Sequence, residues 1–457
     1  MRGMGIYVVF TLINIRGMMK AYGYILLCCL GLLCGAVGKA LAASMHGGGE
    51  YVTISGIVKD RSDKKALAYA SVSVAGGTES TVANADGEFT FKVKAPVEGT
   101  DIEVSHLGYH TTRISLKGVS TRLLTVWLTP SSVLLDEVVV DGRGARQLVE
   151  EAVRKIPENY SDVPNRLTGF YRETARKRRR YINIAEAVVD MHKTPYSESA
   201  GRDRVRILKG RRLLSPKPSD TLAVKLLGGP TAAIYMDVVK NPDLLLSLEA
   251  LPLYDFHWEE MVSIDRRLQY VISFRSNCVL PYALYHGKFY IDKERLAITR
   301  VEFFLDMSDR DKATQAILYR KPFRLRFKPV EVSYVVDYAD YGGKSYLHYV
   351  RNEIHFRCDW KRKLFSTSYA VVSEMVVTDI KPAEANIPAR EAFGRRQIFS
   401  DDASLFFDKD FWGHYNIIKP DESLEKAVGR LRKMHEEEPS SQKATADAAA
   451  TLSESTP

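Results

Sequence analysis

The sequence has few cysteines and lacks the common catalytic motifs. Only five of its 457 residues are cysteine, and three of these precede Ala43. The other two are too few to form a structural zinc site. The H-E-x-x-H, G-x-S-x-G and P-loop patterns do not occur, which argues against the zinc-peptidase, serine-hydrolase and nucleotide-binding classes that carry them. We therefore expect no catalytic residue, no bound metal and no cofactor.

One long uncharged run lies near the start of the chain. It spans Ala21–Gly38, follows Lys20 and precedes Ala40-Leu41-Ala42, a small-x-small cleavage pattern. These features are typical of a secretory signal peptide, which we place at residues 1–42. An uncleaved membrane anchor is the alternative. We expect an exported protein of the periplasm or outer membrane with no transmembrane span after cleavage.

Export would place the two remaining cysteines in a compartment that permits disulfides. Cys278 and Cys358 are therefore a candidate pair. Two separate, partly buried thiols are the alternative, because sequence spacing alone does not show that the two residues meet.

The excess of basic residues is local. The net charge is +9, of which residues 1–42 carry +4 and residues 170–215 carry +8. A nucleic acid is a poor partner for an exported protein, whereas phosphate-bearing envelope lipid is a plausible one. A solvated hairpin without a partner is the alternative. The candidate anionic-ligand patch comprises Arg176, Lys177, Arg178, Arg179, Arg180, Arg204, Arg206, Arg211 and Arg212.

Residues 51–130 show short alternating segments separated by turn residues. Phe89, Phe91 and Val93 alternate with polar neighbours, as in a half-buried strand. Asn84-Ala85-Asp86-Gly87 is a turn sequence, because Asp and Asn bond nearby backbone and Gly accepts positive φ. We predict a β-sandwich here.

Four motifs in this region resemble the carboxypeptidase-regulatory-like family. They are Ile54-Ser55-Gly56-Ile57-Val58, Ala70-Ser71-Val72, Asn84-Ala85-Asp86-Gly87-Glu88-Phe89 and Val104-Ser105-His106-Leu107-Gly108-Tyr109. The resemblance implies a transthyretin-like, seven-stranded sandwich that is common in bacterial envelope proteins and is not known as a catalyst. The same domain precedes TonB-dependent transporters, and Leu135–Val140 is similar to the segment that follows it there. We interpret residues 131–142 as a linker, since too few residues follow for a transporter barrel.

Residues 143–433 are predicted to form an α+β domain. Apolar residues at helical spacing predict a helix from Arg143 to Ile156. Long alternating segments follow, and Gly342-Gly343 marks a hairpin between two of them. The predicted fold is thus mainly β: a seven-stranded sandwich, then a large curved antiparallel sheet with a few packed helices. Residues 434–457 lack aromatic residues and are predicted to be a disordered tail.

Part of this second domain resembles the lipoprotein-carrier (Lol) proteins. The matching segments are Gly287–Asp292 and Leu296–Glu302, and they imply a concave apolar face that could hold a lipid chain. An ordinary sheet packed on its helices is the alternative. Residues 135–433 also resemble uncharacterised envelope proteins that carry the same sandwich.

These observations favour a non-enzymatic envelope protein. The sandwich would contact an envelope protein, and the second domain would bind an apolar or anionic envelope ligand. The alternative is a zinc-dependent peptidase, because His257 and Glu260 have the H-x-x-E spacing of zinc carboxypeptidases. His355 or His414 would then have to supply the third ligand.

Overall fold

The computed structural model describes residues 51–95, 99–117, 123–131, 144–220, 222, 224–264, 267–360, 366–394, 397, 406, 408 and 410–453. The predicted signal peptide and all but the first residue of the predicted linker lie outside these residues. Strands make up 50% of the chain and helices 17%, which confirms the mainly β prediction. No helix in the described ranges is long and apolar enough to cross a membrane.

The sandwich has seven strands in two sheets. One sheet has the order β4-β1-β7 and the other β3-β2-β5-β6. Phe89, Phe91 and Val93 are buried between them, as their alternation predicts. The strands are β1 (Tyr51–Asp60), β2 (Ser71–Val74), β3 (Ser80–Val82), β4 (Glu88–Lys94), β5 (Asp101–Ser105), β6 (Thr112–Ser115) and β7 (Leu124–Leu128).

The second domain contains a ten-stranded antiparallel sheet with the order β10-β9-β8-β19-β18-β17-β15-β14-β13-β12. A separate small pair joins β11 to β16. The strands are β8 (Asn165–Lys177), β9 (Arg180–Lys193), β10 (Arg204–Leu214), β11 (Lys225–Leu226), β12 (Tyr254–Ile264), β13 (Arg267–Ser276), β14 (Tyr285–Asp292), β15 (Ile298–Leu305), β16 (Leu318–Arg320), β17 (Leu325–Tyr341), β18 (Lys344–Trp360) and β19 (Thr367–Pro382).

Short turns join most neighbouring strands of this sheet. The β17–β18 turn contains Gly342 and Gly343 with φ of 60° and 81°, a backbone that glycine adopts without steric cost. The predicted hairpin is therefore confirmed. The β8–β9 turn places Arg178 at a φ of 56°, although this residue is not glycine.

Helices cover one face of the ten-stranded sheet, which we call the inner face. They are α1 (Ala145–Arg154), α2 (Ile156–Asn159), α3 (Pro230–Tyr235) and α4 (Arg310–Ile317), with 3-10 turns at Ala200–Arg202, Pro218–Asp220, Pro242–Leu244 and Leu251–Leu253. The apolar side of α1 (Leu148, Val149 and Ala152) is buried in the main core. The second short helix begins at Ile156 and has Pro157 as its second residue, so the predicted long helix is divided near Lys155.

The sandwich and a C-terminal segment cover part of the opposite, outer face. Ser80 Oγ donates to the carbonyl of Val377 in β19 at 2.8 Å. Residues 410–421 lie beside this contact and bury Phe411, Trp412 and Ile418 against Phe170 of β8 and its neighbours. Sandwich, C-terminal segment and sheet are therefore packed together through buried apolar surface.

The last helix, α5, extends over Glu422–Ser453. Leu424, Ala427 and Leu431 pack against Ile184 and Leu213 on the outer face. The helix continues well past residue 434, where the sequence predicted a disordered tail. The low aromatic content that led to that prediction is compatible with a helix, because Ala, Glu, Lys and Gln all have high helix propensity.

The two described cysteines are both free, so the candidate disulfide is wrong. Cys278 follows β13, whereas Cys358 is buried in β18. Three strands lie between β13 and β18, which sets their backbones about 19 Å apart at ordinary strand spacing. A disulfide requires Cα atoms within about 7 Å. Burial raises the pKa of the Cys358 thiol to about 12.

Candidate functional site

The nine predicted patch residues are spread along the neighbouring strands β8, β9 and β10. Arg176–Arg180 lie around the β8–β9 turn, where Lys177 pairs with Arg180 across the hairpin. Arg204 lies at the start of β10, opposite His192 at the far end of β9. Because β10 runs antiparallel to β9, Arg204 and Arg206 lie far from the turn, whereas Arg211 and Arg212 pair with Glu186 and Ala185 in the half of β9 nearer to it.

Several patch residues are engaged in ion pairs within the protein. Arg206 Nε lies 2.7 Å from Asp190, and its Nη1 lies 2.7 Å from Glu391. Arg204 donates to the carbonyl of Ile387 at 2.7 Å. These side chains stabilise the sheet edge and are not available as a group to a ligand.

Glu186 neutralises two buried arginines on the outer face. Arg211 donates to Glu186 from Nε at 2.9 Å and from Nη2 at 2.8 Å, and Arg172 Nε donates to it at 2.8 Å. Burial opposes ionisation of Glu186, but the two guanidinium groups outweigh burial and lower its pKa. Arg211 also lies over the rings of Phe406 and Trp412, so its role is structural.

The turn residues Arg178, Arg179 and Arg180 are exposed, whereas Lys177 is mostly buried. Lys177 Nζ donates to Asp220 at 3.2 Å, and Arg180 lies 3.8 Å from the same carboxylate. Arg212 donates to Asn183 at 3.0 Å. The part of the patch that is open to solvent is therefore the tip of the β8–β9 hairpin.

Arg176 occupies a different environment, at a cavity of about 260 Å³ between the sandwich, the outer face and α5. The sandwich contributes its Asn84–Asp86 turn, and the sheet contributes β8, β18 and β19. The lining residues are Tyr69, Asn84, Ala85, Asp86, Arg172, Thr174, Arg176, Tyr181, Arg351, Val372, Glu374, Ile418, Asp421, Ser423 and Leu424. We call this space the junction cavity.

The acidic residues that line the junction cavity all bond to the protein. Asp86 accepts from the backbone N–H of Glu422 at 2.9 Å. Asp421 caps α5 by accepting from the N–H of Leu424 at 2.7 Å. Glu374 accepts from Arg172 at 3.3 Å and lies 3.4 Å from Arg351. Their charges are therefore largely used in holding the cavity walls together.

Three donor groups that line the cavity lack such partners. Among the described residues, neither the Tyr69 hydroxyl, the Thr174 hydroxyl nor the Arg176 guanidinium makes a side-chain hydrogen bond. The acid nearest Arg176 is Glu353 at 3.9 Å, and that carboxylate bonds to His355 at 2.7 Å and to Arg351 at 2.9 Å. The junction cavity thus presents hydrogen-bond donors without matching protein acceptors.

Aromatic rings hold two of the cavity's arginines in place. Arg351 lies over the ring of Tyr69, 4.7 Å from its centroid, and Arg176 lies 5.6 Å from the ring centroid of Tyr181. The Tyr181 hydroxyl lies 3.3 Å from that of Ser423 in α5. Stacking of this kind restricts the guanidinium rotamers and orients their donors.

The residues of the zinc alternative are not brought together. His257 and Glu260 are exposed on the edge strand β12. His355 lies on β18, five strand positions from β12, or about 24 Å. His414 lies in the C-terminal segment and stacks on Tyr51. No group of three or more His, Cys, Asp or Glu side chains within the described ranges is arranged to hold a metal ion.

The inner face of the sheet is filled by its own helices and side chains. Phe289, Ile298, Phe303 and Val336 of this face are fully buried in the main core, together with residues of α1, α3 and α4. The resemblance to lipoprotein carriers predicted an open concave face here. The packed arrangement corresponds to the alternative, an ordinary sheet on its helices.

Arg176 could be predicted as a candidate from the sequence, but its partners in the junction cavity could not. Tyr69, Arg351 and Ser423 come from three distant segments, and no motif connects them. The one available signal was the alternation of β18, since Arg351 and Glu353 are two residues apart in that strand and therefore lie on the same side of it. The proximity of the Asn84–Asp86 turn to this strand depends on how the two domains pack.

Comparisons with solved structures show only distant likenesses. A putative outer membrane lipoprotein-sorting protein domain from Vibrio parahaemolyticus has 10% sequence identity and a TM-score of 0.24, covering 54% of this chain and 94% of that one. A DUF1329 family protein from Desulfovibrio piger has 9% identity and a TM-score of 0.21, covering 51% and 94%. MucB, solved in complex with MucA, has 11% identity and a TM-score of 0.17, covering 53% and 100%.

No curated protein matches the chain. A family model does match its N-terminal part, over residues 54–140. This span includes all but the first residues of the sandwich and all four motifs on which the sequence resemblance was based. Residues 54–140 are a CarboxypepD_reg-like domain.

Proposed function

We propose that this chain is an exported, non-enzymatic binding protein of the bacterial envelope that holds an anionic group in the junction cavity. The observation that carries the proposal is the set of donors facing the cavity: Arg176, Thr174 and Tyr69. A carboxylate or phosphate oxygen would accept from all three, and the bond from Arg176 would be charge-assisted.

The size of the junction cavity limits what it can hold. Its volume of about 260 Å³ is just below the ordinary range for small-molecule sites, about 300–1,000 Å³. It therefore suits a small anion or the charged end of a larger envelope molecule. It is too small and too polar for a lipid chain.

The lining also supports a binding function over a hydrolytic one. A general base must have a carboxylate or imidazole free to accept a proton. Asp86, Asp421 and Glu374 already accept bonds from the protein. The sandwich completes the cavity wall, which gives the CarboxypepD_reg-like domain a role within the chain. A contact between the sandwich and another envelope protein stays a prediction.

The test titrates the purified full chain with inorganic phosphate and, separately, with acetate. Calorimetry and thermal melting measure the binding of each anion. Arg176→Gln removes the cationic donor of the cavity. Arg179→Gln removes an equal charge three residues away, at a position that does not line the cavity. We expect Arg179→Gln to bind as the unaltered chain does and Arg176→Gln to bind at least tenfold more weakly.

Two results would overturn the proposal. One is no binding of either anion by the unaltered chain. The other is equal affinity in Arg176→Gln and Arg179→Gln, which would indicate a general charge effect. Thr174→Val gives a second measurement, with an expected loss of a few-fold for one neutral hydrogen bond. Its melting temperature without ligand checks that the cavity still folds.

A further inference from the structure

The hairpin tip lies at the same end of the ten-stranded sheet as a second basic segment. β8 ends at Lys177 and β9 begins at Arg180, while β16 ends at Arg320 and β17 begins at Leu325. In the antiparallel order β9-β8-β19-β18-β17, the end of β8 and the starts of β9 and β17 lie at one end of the sheet, and Arg320 precedes the start of β17 by five residues. We call Lys177–Arg180 together with Arg320–Lys328 the basic end.

The basic end has a high density of positive charge. Most side chains of its two segments are Arg or Lys, and none is Asp or Glu. Nearby acids offset only part of this charge, since Asp220 pairs with Lys177 and Asp359 pairs with Lys328 at 2.6 Å. The side chains of Arg178, Arg179, Arg320, Lys321, Arg324 and Arg326 are exposed.

Apolar side chains project from the same end. Phe323, in the middle of the second basic segment, is 90% exposed, and Val330 is 46% exposed. Phe323 lies between Lys321 and Arg324, so an exposed apolar ring is flanked by exposed basic residues at this end.

We propose that the basic end docks onto an anionic lipid bilayer. Its cations would lie at the phosphate level, and Phe323 would enter the boundary between headgroups and acyl chains. Charge complementarity selects this occupant, because several exposed cations on separate loops match an extended anionic surface. The projecting ring distinguishes a bilayer from a soluble anion, since only the bilayer offers an apolar layer beneath the charges.

This docking surface is separate from the junction cavity. Arg179, Arg324 and Phe323 do not line that cavity, so the two proposals can fail independently. Bilayer docking would also give the chain a defined orientation. The end of β8 and the starts of β9 and β17 would face the lipid, and the β17–β18 turn would face away from it.

The first test measures binding of the purified full chain to vesicles. One set contains only neutral phosphatidylcholine, and the other contains phosphatidylcholine mixed with anionic phosphatidylglycerol. The double variant Arg179→Gln/Arg324→Gln removes two exposed charges from the basic end. The matched control, Lys293→Gln/Lys381→Gln, removes two exposed charges from the opposite end. Every variant keeps the same residues 1–50, so differences among the variants report on these surfaces alone.

We expect binding to the anionic vesicles that weakens as salt is raised. The basic-end double variant should bind about thirtyfold more weakly, since each basic residue near such a surface contributes about fivefold. The control should bind as the unaltered chain does. Equal binding by the two double variants, or equal binding of the unaltered chain to neutral and anionic vesicles, would overturn the proposal.

The second test asks whether residue 323 enters the bilayer. Phe323→Trp places a reporter at the tip, and Leu123→Trp places one at an exposed sandwich position that is 71% accessible. The four native tryptophans of the unaltered chain give the baseline fluorescence. We expect lipids brominated on their acyl chains to quench the fluorescence added by Trp at position 323. The fluorescence added by Trp at position 123 should stay unchanged. Absence of quenching at 323 in a bound sample would rule out insertion.

Discussion

Oγ of Ser71 in the sandwich lies 3.1 Å from Nε2 of His348 in β18, which joins the two domains through a buried imidazole. His348 is 6% exposed, and its Nδ1 has no hydrogen-bond partner among the described residues. Burial alone lowers the pKa of His348 to about 4. The imidazole is therefore neutral at neutral pH, and protonating it would place an unpaired charge between the domains.

This environment predicts a loss of stability in mild acid. The unfolded chain binds a proton at His348 near pH 6.5, whereas the folded chain binds it only near pH 4. The part of the unfolding free energy that depends on neutral His348 is thus fully present above pH 6.5. It is lost as the pH falls from 6.5 to 4, and the total loss is about 3 kcal/mol. Urea unfolding at pH 7 and pH 4.5 measures it.

Other groups also titrate in this interval, so the comparison needs matched variants. His348→Gln removes the titrating group and keeps a side chain able to bond Ser71. His110→Gln changes an exposed histidine of the sandwich. We expect the drop in unfolding free energy to be about 2 kcal/mol smaller in His348→Gln and unchanged in His110→Gln. An equal drop in all three chains would contradict the assigned pKa.

A second buried charge lies on the inner side, where Asp237 bonds to several donors. Its carboxylate accepts from Lys193 Nζ at 2.7 Å, from Tyr338 at 2.8 Å and from Tyr196 at 3.1 Å. All four side chains are buried. Burial opposes the charge on Lys193, but Asp237 and Asp203 outweigh it and raise the pKa of Lys193.

Asp237→Asn should therefore be severely destabilising. The NH2 group of the amide donates and cannot accept, so the amide would accept only part of the bonds that the carboxylate accepts, and Lys193 would lose its nearest counter-charge. Removing one partner of a buried ion pair typically costs about 3–5 kcal/mol. Asp243→Asn, an exposed site six residues away, should change the free energy of unfolding by less than about 0.5 kcal/mol. A cost below about 1 kcal/mol for Asp237→Asn, measured by urea unfolding, would show that the cluster is already solvated.

Local signals in the sequence predicted the strands well. The alternation of Phe89, Phe91 and Val93 and the Gly342-Gly343 turn both depend on neighbours within a few residues, and both predictions are confirmed. The order of the strands in the sheet could not be predicted from such local signals. The candidate disulfide failed because nothing near Cys278 or Cys358 indicates that three strands separate them.

Bulges and domain packing account for the other differences. Strict alternation would place His348 on one face with Tyr346 and Val350, but the register of β17 and β18 shifts at this point, pairing Asp337 with Tyr349 and Tyr338 with Leu347. His348 is the residue left over, and it contacts the sandwich. The junction cavity is assembled from both domains and α5, so periodicity within one strand could not predict it.

Close approach of two strands makes Gly287 in β14 a sensitive position. It lies opposite Phe303 of β15 in the sheet register. A Cβ added at Gly287 would overlap the carbonyl of Glu302 and lie 2.7 Å from Cα of Phe303. Both obstacles are backbone atoms, which cannot move without breaking the pairing of β14 with β15.

Gly287→Ala should lower the free energy of unfolding by about 3 kcal/mol, because overpacking against backbone forces the strands apart. Gly429→Ala provides the matched control, since it lies within α5 and nothing obstructs a Cβ there. That substitution should raise the free energy of unfolding by up to about 1 kcal/mol through helix propensity. Urea unfolding of both variants gives the comparison. If Gly287→Ala proved as stable as the unaltered chain, β14 and β15 would have to be farther apart than the sheet register places them.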